Sequence, residues 1–223
     1  MVRAVSDVVA LHGFAATGRM WDVVDPSYIT PDLPADVLAV APERFVLAGY
    51  SMGGRAALQV ALAAPERVER LVLISATAGI EDAGERARRR EADDRLAAKL
   101  EHTTIEEFAD RWIAQPLFAG DPPEAKRLQR EDILRCDPAR LAATLRELGQ
   151  GAMPPVWDRL GELTMPATVL AGERDEKYRE LAGRITSGLR GQVEEVVVPG
   201  SGHGLPREAP AAVAAAIRTR RGA

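Results

Sequence analysis

An α/β fold is predicted, with a mostly parallel sheet, helices on both faces and an inserted helical cap. Two observations predict it. Short apolar runs alternate with helical stretches, and those runs are nearly continuous rather than alternating in polarity, as strands buried on both faces must be. Between them lies a long charged segment, 79–163, with helical character and no strand-like run.

The elements follow in order. Val5 to Leu11 is a mostly apolar run ending in His12-Gly13-Phe14, a strand that runs into a tight loop. Phe45 to Gly49 (FVLAG) is a second strand, and the alanine- and leucine-rich segment from Gly53 to Ala64, stopped before Pro65, is a helix. Arg70 to Ser75, Ala167 to Ala171 and Val193 to Val198 supply three more strands, and Arg207 to Arg218 reads as a closing helix. The middle segment is broken at Pro116, Pro122-Pro123, Pro138 and Pro154-Pro155. The domain reading is therefore a core formed by 1–78 and 164–223, with a cap formed by 79–163.

Composition narrows the function classes. Hydrophobic residues make up 46% and charged residues 28% of the chain, which excludes disordered and fibrous classes. A net charge of -4 argues against a nucleic-acid surface, because phosphate binding needs a basic stripe. Cys136 is the only cysteine, so no internal disulfide forms, and with three scattered histidines it gives no zinc-ligand spacing. Neither a metal nor a cofactor is expected. Met1 to Ala10 lacks the apolar core of a signal peptide, and no stretch approaches the roughly eighteen apolar residues of a membrane span. The expectation is a cytoplasmic protein with a small-molecule substrate, no nucleic-acid partner and no membrane insertion.

The chemistry centres on Gly49-Tyr50-Ser51-Met52-Gly53, a G-x-S-x-G motif placed between a strand and a helix. An abrupt strand-to-helix turn forces the serine into a strained backbone conformation, and side chains at the flanking glycines would collide with neighbouring strands. A serine hydroxyl is a weak nucleophile or base at neutral pH, so an imidazole must take its proton. His203, in Pro199-Gly200-Ser201-Gly202-His203-Gly204 after the last strand, is the candidate base. His12 and His102 do not follow the chain order serine, acid, histidine. Asp175, just past the strand ending at Ala171, is the candidate acid, with Glu173 as its competitor. Negative charge developing on a substrate oxygen needs preorganised donors, and the backbone N–H groups of Met52 and Phe14 are placed to supply them.

Leu11-His12-Gly13-Phe14, together with Gly49-Tyr50-Ser51-Met52-Gly53-Gly54-Arg55, resembles the SHCHC synthases (MenH type) of the α/β-hydrolase superfamily. Arg70 to Glu85, Ala109 to Ala119 and Gly172 to Ala182 extend the resemblance over nearly the whole chain. It implies the α/β-hydrolase fold, a Ser51-Asp175-His203 triad, and elimination of pyruvate from SEPHCHC to give 2-succinyl-6-hydroxy-2,4-cyclohexadiene-1-carboxylate. It also implies that Arg55, Arg89 and Trp112 contact the substrate. Arginines suit a substrate with several carboxylates, because each pairs bidentately. Arg89 also reads as part of a solvated helix face beside Glu85 and Glu91, Trp112 as cap core, and Tyr50 either as pocket lining or as packing. A carboxylesterase would use the same triad through an acyl-enzyme.

The chain departs from the family in two places. A further cap arginine is replaced by Ile133, with Arg130 or Arg135 as the substitutes at hand. The stretch from Pro34 to Phe45 is much shorter than in the family, which predicts an exposed sheet face there and leaves room for a homo-oligomer in which a second copy covers it.

Overall fold

The computed structural model describes residues 7–218. Five strands form one sheet in the order β1-β2-β3-β4-β5, every neighbouring pair parallel: β1 Val8–Leu11, β2 Phe45–Tyr50, β3 Val68–Ile74, β4 Ala167–Gly172 and β5 Val193–Val198. Each strand read from the sequence is present, with ends shifted by a residue or two; Val5 and Ser6 lie outside the described residues. Every residue of β4 is buried, as its unbroken apolar run requires. The edge strand β5 instead interleaves Glu194 and Glu195 with valines and leaves Val197 exposed.

Successive strand residues feed two separate cores. Val9, Leu11, Leu47, Leu71, Leu73 and Val169 point to one face, where they meet α2 (Met52–Ala63) and α7 (Glu176–Gly188). Ala10, Ala48, Val72, Ile74 and Leu170 point to the other and meet Met20, Trp21, Val213 and Ile217. The period of two in a strand makes this division unavoidable once both faces are covered.

The segment between Pro34 and Phe45 forms a single turn of helix, α1 (Val37–Val40), capped by Asp36. Leu33 and Val37 are buried in the first core, so this face is not left bare as expected, although Val40 remains exposed. Arg67 fixes the turn by donating to the carbonyls of Leu38, Ala41 and Pro42 at 2.8–3.1 Å. The free edge of β1 is met by Ile29, whose N–H donates to the Val8 carbonyl and whose carbonyl accepts from Ala10.

Between β3 and β4 lie α3 (Ala83–Leu100), α4 (Ile105–Ile113), α5 (Pro123–Ile133) and α6 (Pro138–Leu148). Asp82, Thr104 and Asp137 cap three of them with side-chain oxygens. Pro123 and Pro138, which break the sequence pattern, are the first residues of α5 and α6, where a missing N–H costs nothing. These helices share a third core, including Ala97, Leu100, Phe108, Ile133 and Leu141, which touches the sheet unit through Phe14 and Ala15.

The closing helix expected over Arg207 to Arg218 is two helices, α8 (Leu205–Glu208) and α9 (Pro210–Arg218). Pro210 has no N–H to continue the first and forces Ala209 out of helical geometry, at φ -138° and ψ 56°.

Candidate active site

The loops after β1, β2, β4 and β5 converge at the C-terminal edge of the sheet, the usual ligand position in a parallel α/β sheet. Ser51 sits between β2 and α2 with φ 52° and ψ -110°, a strained backbone for a residue with a side chain. The flanking glycines make the turn possible. A Cβ at Gly49 would lie 2.4 Å from the Gly53 carbonyl oxygen, and one at Gly53 would lie 2.3 Å from that of Leu11.

His203 is buried beneath the turn, with Nε2 3.2 Å from Ser51 Oγ and Nδ1 2.7 Å from Asp175 Oδ2. A carboxylate only accepts, so Nδ1 carries the proton and Nε2 is left to accept from the serine hydroxyl. The three residues named from the sequence are thus joined in one hydrogen-bonded chain. Glu173, the competing acid, accepts from the Gly200 N–H at 2.7 Å and ties its own loop to that of the histidine.

The other histidines stand apart. His12 is buried and accepts at Nε2 from the Leu33 N–H at 2.8 Å, while Nδ1 meets the Gly13 carbonyl at 2.8 Å; burial holds its pKa below the ordinary value. It braces the first loop in its neutral form. His102 is exposed in the turn after α3.

Met52 is the first residue of α2, so its N–H has no partner within the helix. Phe14 follows Gly13, where a Cβ would come within 3.6 Å of Ser51 Cβ, so the first loop lies against the serine. Phe14 and Met52 together line a cavity of about 120 Å³ that runs toward Arg135 and Arg140. Arg130 turns away to pair with Asp110 at 2.7 Å, and Ile133 is fully buried. Of the two substitutes considered for the missing arginine, Arg135 is the one at this cavity. Cys136 lines it too, with its thiol pushed up to about 12 by burial, so it is not a competing nucleophile at neutral pH.

On the other side of Ser51, Arg55 lies one helical turn along α2 and is 8% exposed. It donates to the Leu148 carbonyl at 2.9 Å, but its Nε has no partner among the described residues. Burial draws its pKa down to about 10, which leaves it charged at neutral pH. Arg89 lies close enough to add to that effect. Its side chain, 44% exposed, is held by buried Asp93 at 2.8 Å, four residues further along α3, and by Gln150 at 2.8 Å, so it makes the i,i+4 pair expected of a helix face, with Asp93 in place of Glu85 or Glu91.

An aromatic wall closes the site. Trp112 meets Phe14 edge-on at 5.1 Å and also contacts Phe108 and Phe118; its Nε1 is buried without a partner among the described residues. Tyr50 is buried 5.5 Å from the His203 ring, and a Cβ at Gly13 would strike it at 2.8 Å. Sequence reasoning missed Tyr178, whose ring lies 4.4 Å from that of His203, and Phe118 at 6.2 Å. The position of Tyr178, three residues past Asp175 in the first turn of α7, was the available signal.

The model of the alpha/beta hydrolase family matches residues 8–216. The Bacillus subtilis protein named "Putative 2-succinyl-6-hydroxy-2,4-cyclohexadiene-1-carboxylate synthase" is 30% identical, over 91% of this chain and 85% of its own. The Salmonella newport 2-succinyl-6-hydroxy-2,4-cyclohexadiene-1-carboxylate synthase is 29% identical over 92% and 90%. MenH from S. aureus superimposes with a TM-score of 0.83 at 28% identity, covering 96% of this chain and 92% of that one. A thermophilic esterase from Thermogutta terrifontis gives 0.81 at 26% identity, covering 96% and 88%. With a family model matched almost from end to end and a relative 30% identical over 91% of the chain, the chain belongs to the alpha/beta hydrolase family.

Proposed function

We propose that the protein is a carbon–oxygen lyase of the SHCHC synthase type, which eliminates pyruvate from SEPHCHC. The observation that carries this reading beyond its relatives is the pair Arg55 and Arg89. Arg55, one helical turn from Ser51, is buried with an unpartnered Nε, and Arg89 of the cap lies within electrostatic range of it. Burying a cation without a full set of acceptors is costly, and a substrate carboxylate supplies both the charge and the acceptor oxygens. Arg135 and Arg140, beyond the cavity beside Phe14 and Met52, would meet a second anionic end. Trp112 and Tyr50 form the walls between.

In this mechanism His203 draws the proton from Ser51, and the Ser51–His203 pair takes a proton from a substrate carbon. The electron pair left behind moves onto the adjoining carbonyl oxygen, facing the N–H groups of Met52 and Phe14. As that enolate collapses, the C–O bond to the enolpyruvyl group breaks with its electron pair on the departing oxygen, and the departing group takes up the proton held by His203 to leave as pyruvate. Asp175 holds His203 in the tautomer that accepts at Nε2 and stabilises its protonated form. No cofactor enters any step.

The aromatic wall of Phe14, Phe108, Trp112 and Phe118 favours a second reading, a carboxylesterase acting on small esters or thioesters. Turnover of enzymatically generated SEPHCHC, followed as pyruvate release beside hydrolysis of a p-nitrophenyl ester, separates the two. Serine-dependent pyruvate release is expected; ester cleavage with no pyruvate above the spontaneous rate would overturn the lyase. Arg55→Met and Arg89→Met are each expected to raise KM for SEPHCHC by about 10- to 100-fold, the worth of a charge-assisted hydrogen bond, and to affect a neutral ester far less. Equal losses on both substrates would remove the arginines from substrate binding.

A further inference from the structure

We propose that Glu208 is a positioning residue: with Arg174 it clamps the loop that carries Asp175 to the loop that carries His203, and Asp121 locks the helical cap onto that clamp. The proposal rests on the reading of Ser51, His203 and Asp175 as an activated serine and not on the identity of the substrate.

Glu208 ends α8, and its side chain is 2% exposed. Both carboxylate oxygens accept from the N–H of Gly202, the residue before His203, at 2.9 and 3.0 Å. One of them also accepts from Arg174, the residue before Asp175, at 2.7 Å. Arg174 donates in addition to the carbonyls of Gly200 at 3.0 Å and Gly120 at 2.8 Å, and its own N–H reaches the Ser201 carbonyl at 2.9 Å. The acid and base are 28 residues apart in sequence, yet their loops share one buried carboxylate and one guanidinium. Packing holds the His203 ring from its faces through Tyr50, Phe118 and Tyr178, whereas the clamp fixes the backbone that sets how far it reaches.

Asp121 reaches this cluster from the loop before α5. It is buried and lies beside Glu208: a Cβ at Gly204 would lie 2.7 Å from Asp121 Oδ2 and 3.3 Å from Glu208 Oε1, and one at Gly202 would lie 3.4 and 3.3 Å from the same two carboxylates. Two carboxyl groups placed side by side favour a proton on one of them. Burial, followed by the charge of Glu208, raises Asp121 to about 7. Arg174 from the core and Lys126 from α5 oppose that rise, and Tyr50 faces it from β2. Below about 7, then, neutral Asp121 donates to Glu208 and the cap is fastened; above it, two like charges face one another and the fastening weakens.

The rate at which a fluorophosphonate labels Ser51 tests this without a substrate. Ser51 Oγ bonds to phosphorus, its proton passes to His203 and fluoride leaves, so the rate reports how well the base is placed. Glu208→Ala is expected to lower the limiting labelling rate by about 10- to 100-fold, the usual effect of misplacing a reacting group, with far-UV circular dichroism unchanged. Glu208→Gln, which still accepts from Gly202, should recover most of the loss. The wild-type rate divided by that of Asp121→Asn, a permanently neutral donor, should fall as pH rises through about 7, because the need for a neutral imidazole is common to both and cancels. A folded Glu208→Ala that labels at the wild-type rate, or a ratio that does not fall with pH, would overturn the clamp. If Glu208→Ala does not fold, Glu208→Gln and Asp121→Asn carry the same test. No labelling of wild-type Ser51 would overturn the activated-serine reading and the clamp with it.

Discussion

Ser51→Ala is expected to lower turnover by about four to six orders of magnitude while leaving the fold intact, because the residues of such a unit act together and not additively. The hydroxyl is the single atom that connects the imidazole to the substrate: His203 Nε2 lies 3.2 Å from it, and the ring is already committed to Asp175 at its other nitrogen. Alanine keeps the Cβ, so the strained turn at φ 52° is no worse than before, and among the described residues the hydroxyl bonds to His203 alone. Substrate binding and the backbone donors at Met52 and Phe14 should survive, which leaves a residual rate above that in water. Two measurements check this: turnover in the pyruvate and ester assays, and thermal melting. A Ser51→Ala, His203→Ala double variant should be little worse than either single one. A loss of less than tenfold in the serine variant would take Ser51 out of the chemistry.

The serine turn was legible because its requirements are local. A strand, two glycines and a helix follow one another without a break from Phe45 to Ala63; the expected clash with a neighbouring strand holds at Gly53, whereas a Cβ at Gly49 would strike the first turn of its own helix. Asp175 and His203 were legible through a different constraint: in a parallel sheet every strand delivers its following loop to the same edge, so an acid after β4 and a histidine after β5 arrive together. Long-range pairing had no such signal. That Arg89 is oriented by Gln150, 61 residues away, or that Glu208 serves the loops of both Asp175 and His203, follows only from three-dimensional placement.

The prolines show both sides. Pro123 and Pro138 looked like interruptions because a missing N–H argues against the middle of a helix, yet at its first position that loss is free. Pro210 falls inside the single closing helix expected over Arg207 to Arg218, although the rule that breaks α8 from α9 is readable there. The short segment before β2 misled for another reason. Its length suggests an open face, but Leu33 and Val37 are enough to reach the core once Arg67 gathers the turn's carbonyls.

Asp132→Ala should be the most damaging single change away from Ser51, destabilising the protein by about 3–5 kcal/mol, the cost of leaving a buried charge without its partner. Asp132 lies at the end of α5 and is 3% exposed. Its carboxylate accepts from Arg207 of α8 at 2.9 Å and from the N–H and hydroxyl of Thr17 at 3.1 and 2.6 Å. One side chain therefore joins the cap, the loop after β1 and the helix that follows His203. Removing it takes from the Arg207 guanidinium, 6% exposed, the one carboxylate it pairs with among the described residues, and Arg135, itself 3.9 Å from Asp132, only adds to the positive side. At this chain length the loss corresponds to a fall in Tm of about 6–20 °C. Asp132→Asn keeps one acceptor oxygen for Thr17 but not the charge, and should melt between the wild type and Asp132→Ala. Asp132→Leu combined with Arg207→Met removes both charges and should recover much of the loss, since a buried ion pair is costly to break but not to replace. If Asp132→Ala melts within 2 °C of the wild type, which would correspond to less than about 1 kcal/mol, solvent rather than Asp132 must be holding Arg207. Cap and core would then be joined by the contacts of Phe14 and Ala15 with the cap helices and by the bonds from Arg55 and Arg174 to the Leu148 and Gly120 carbonyls.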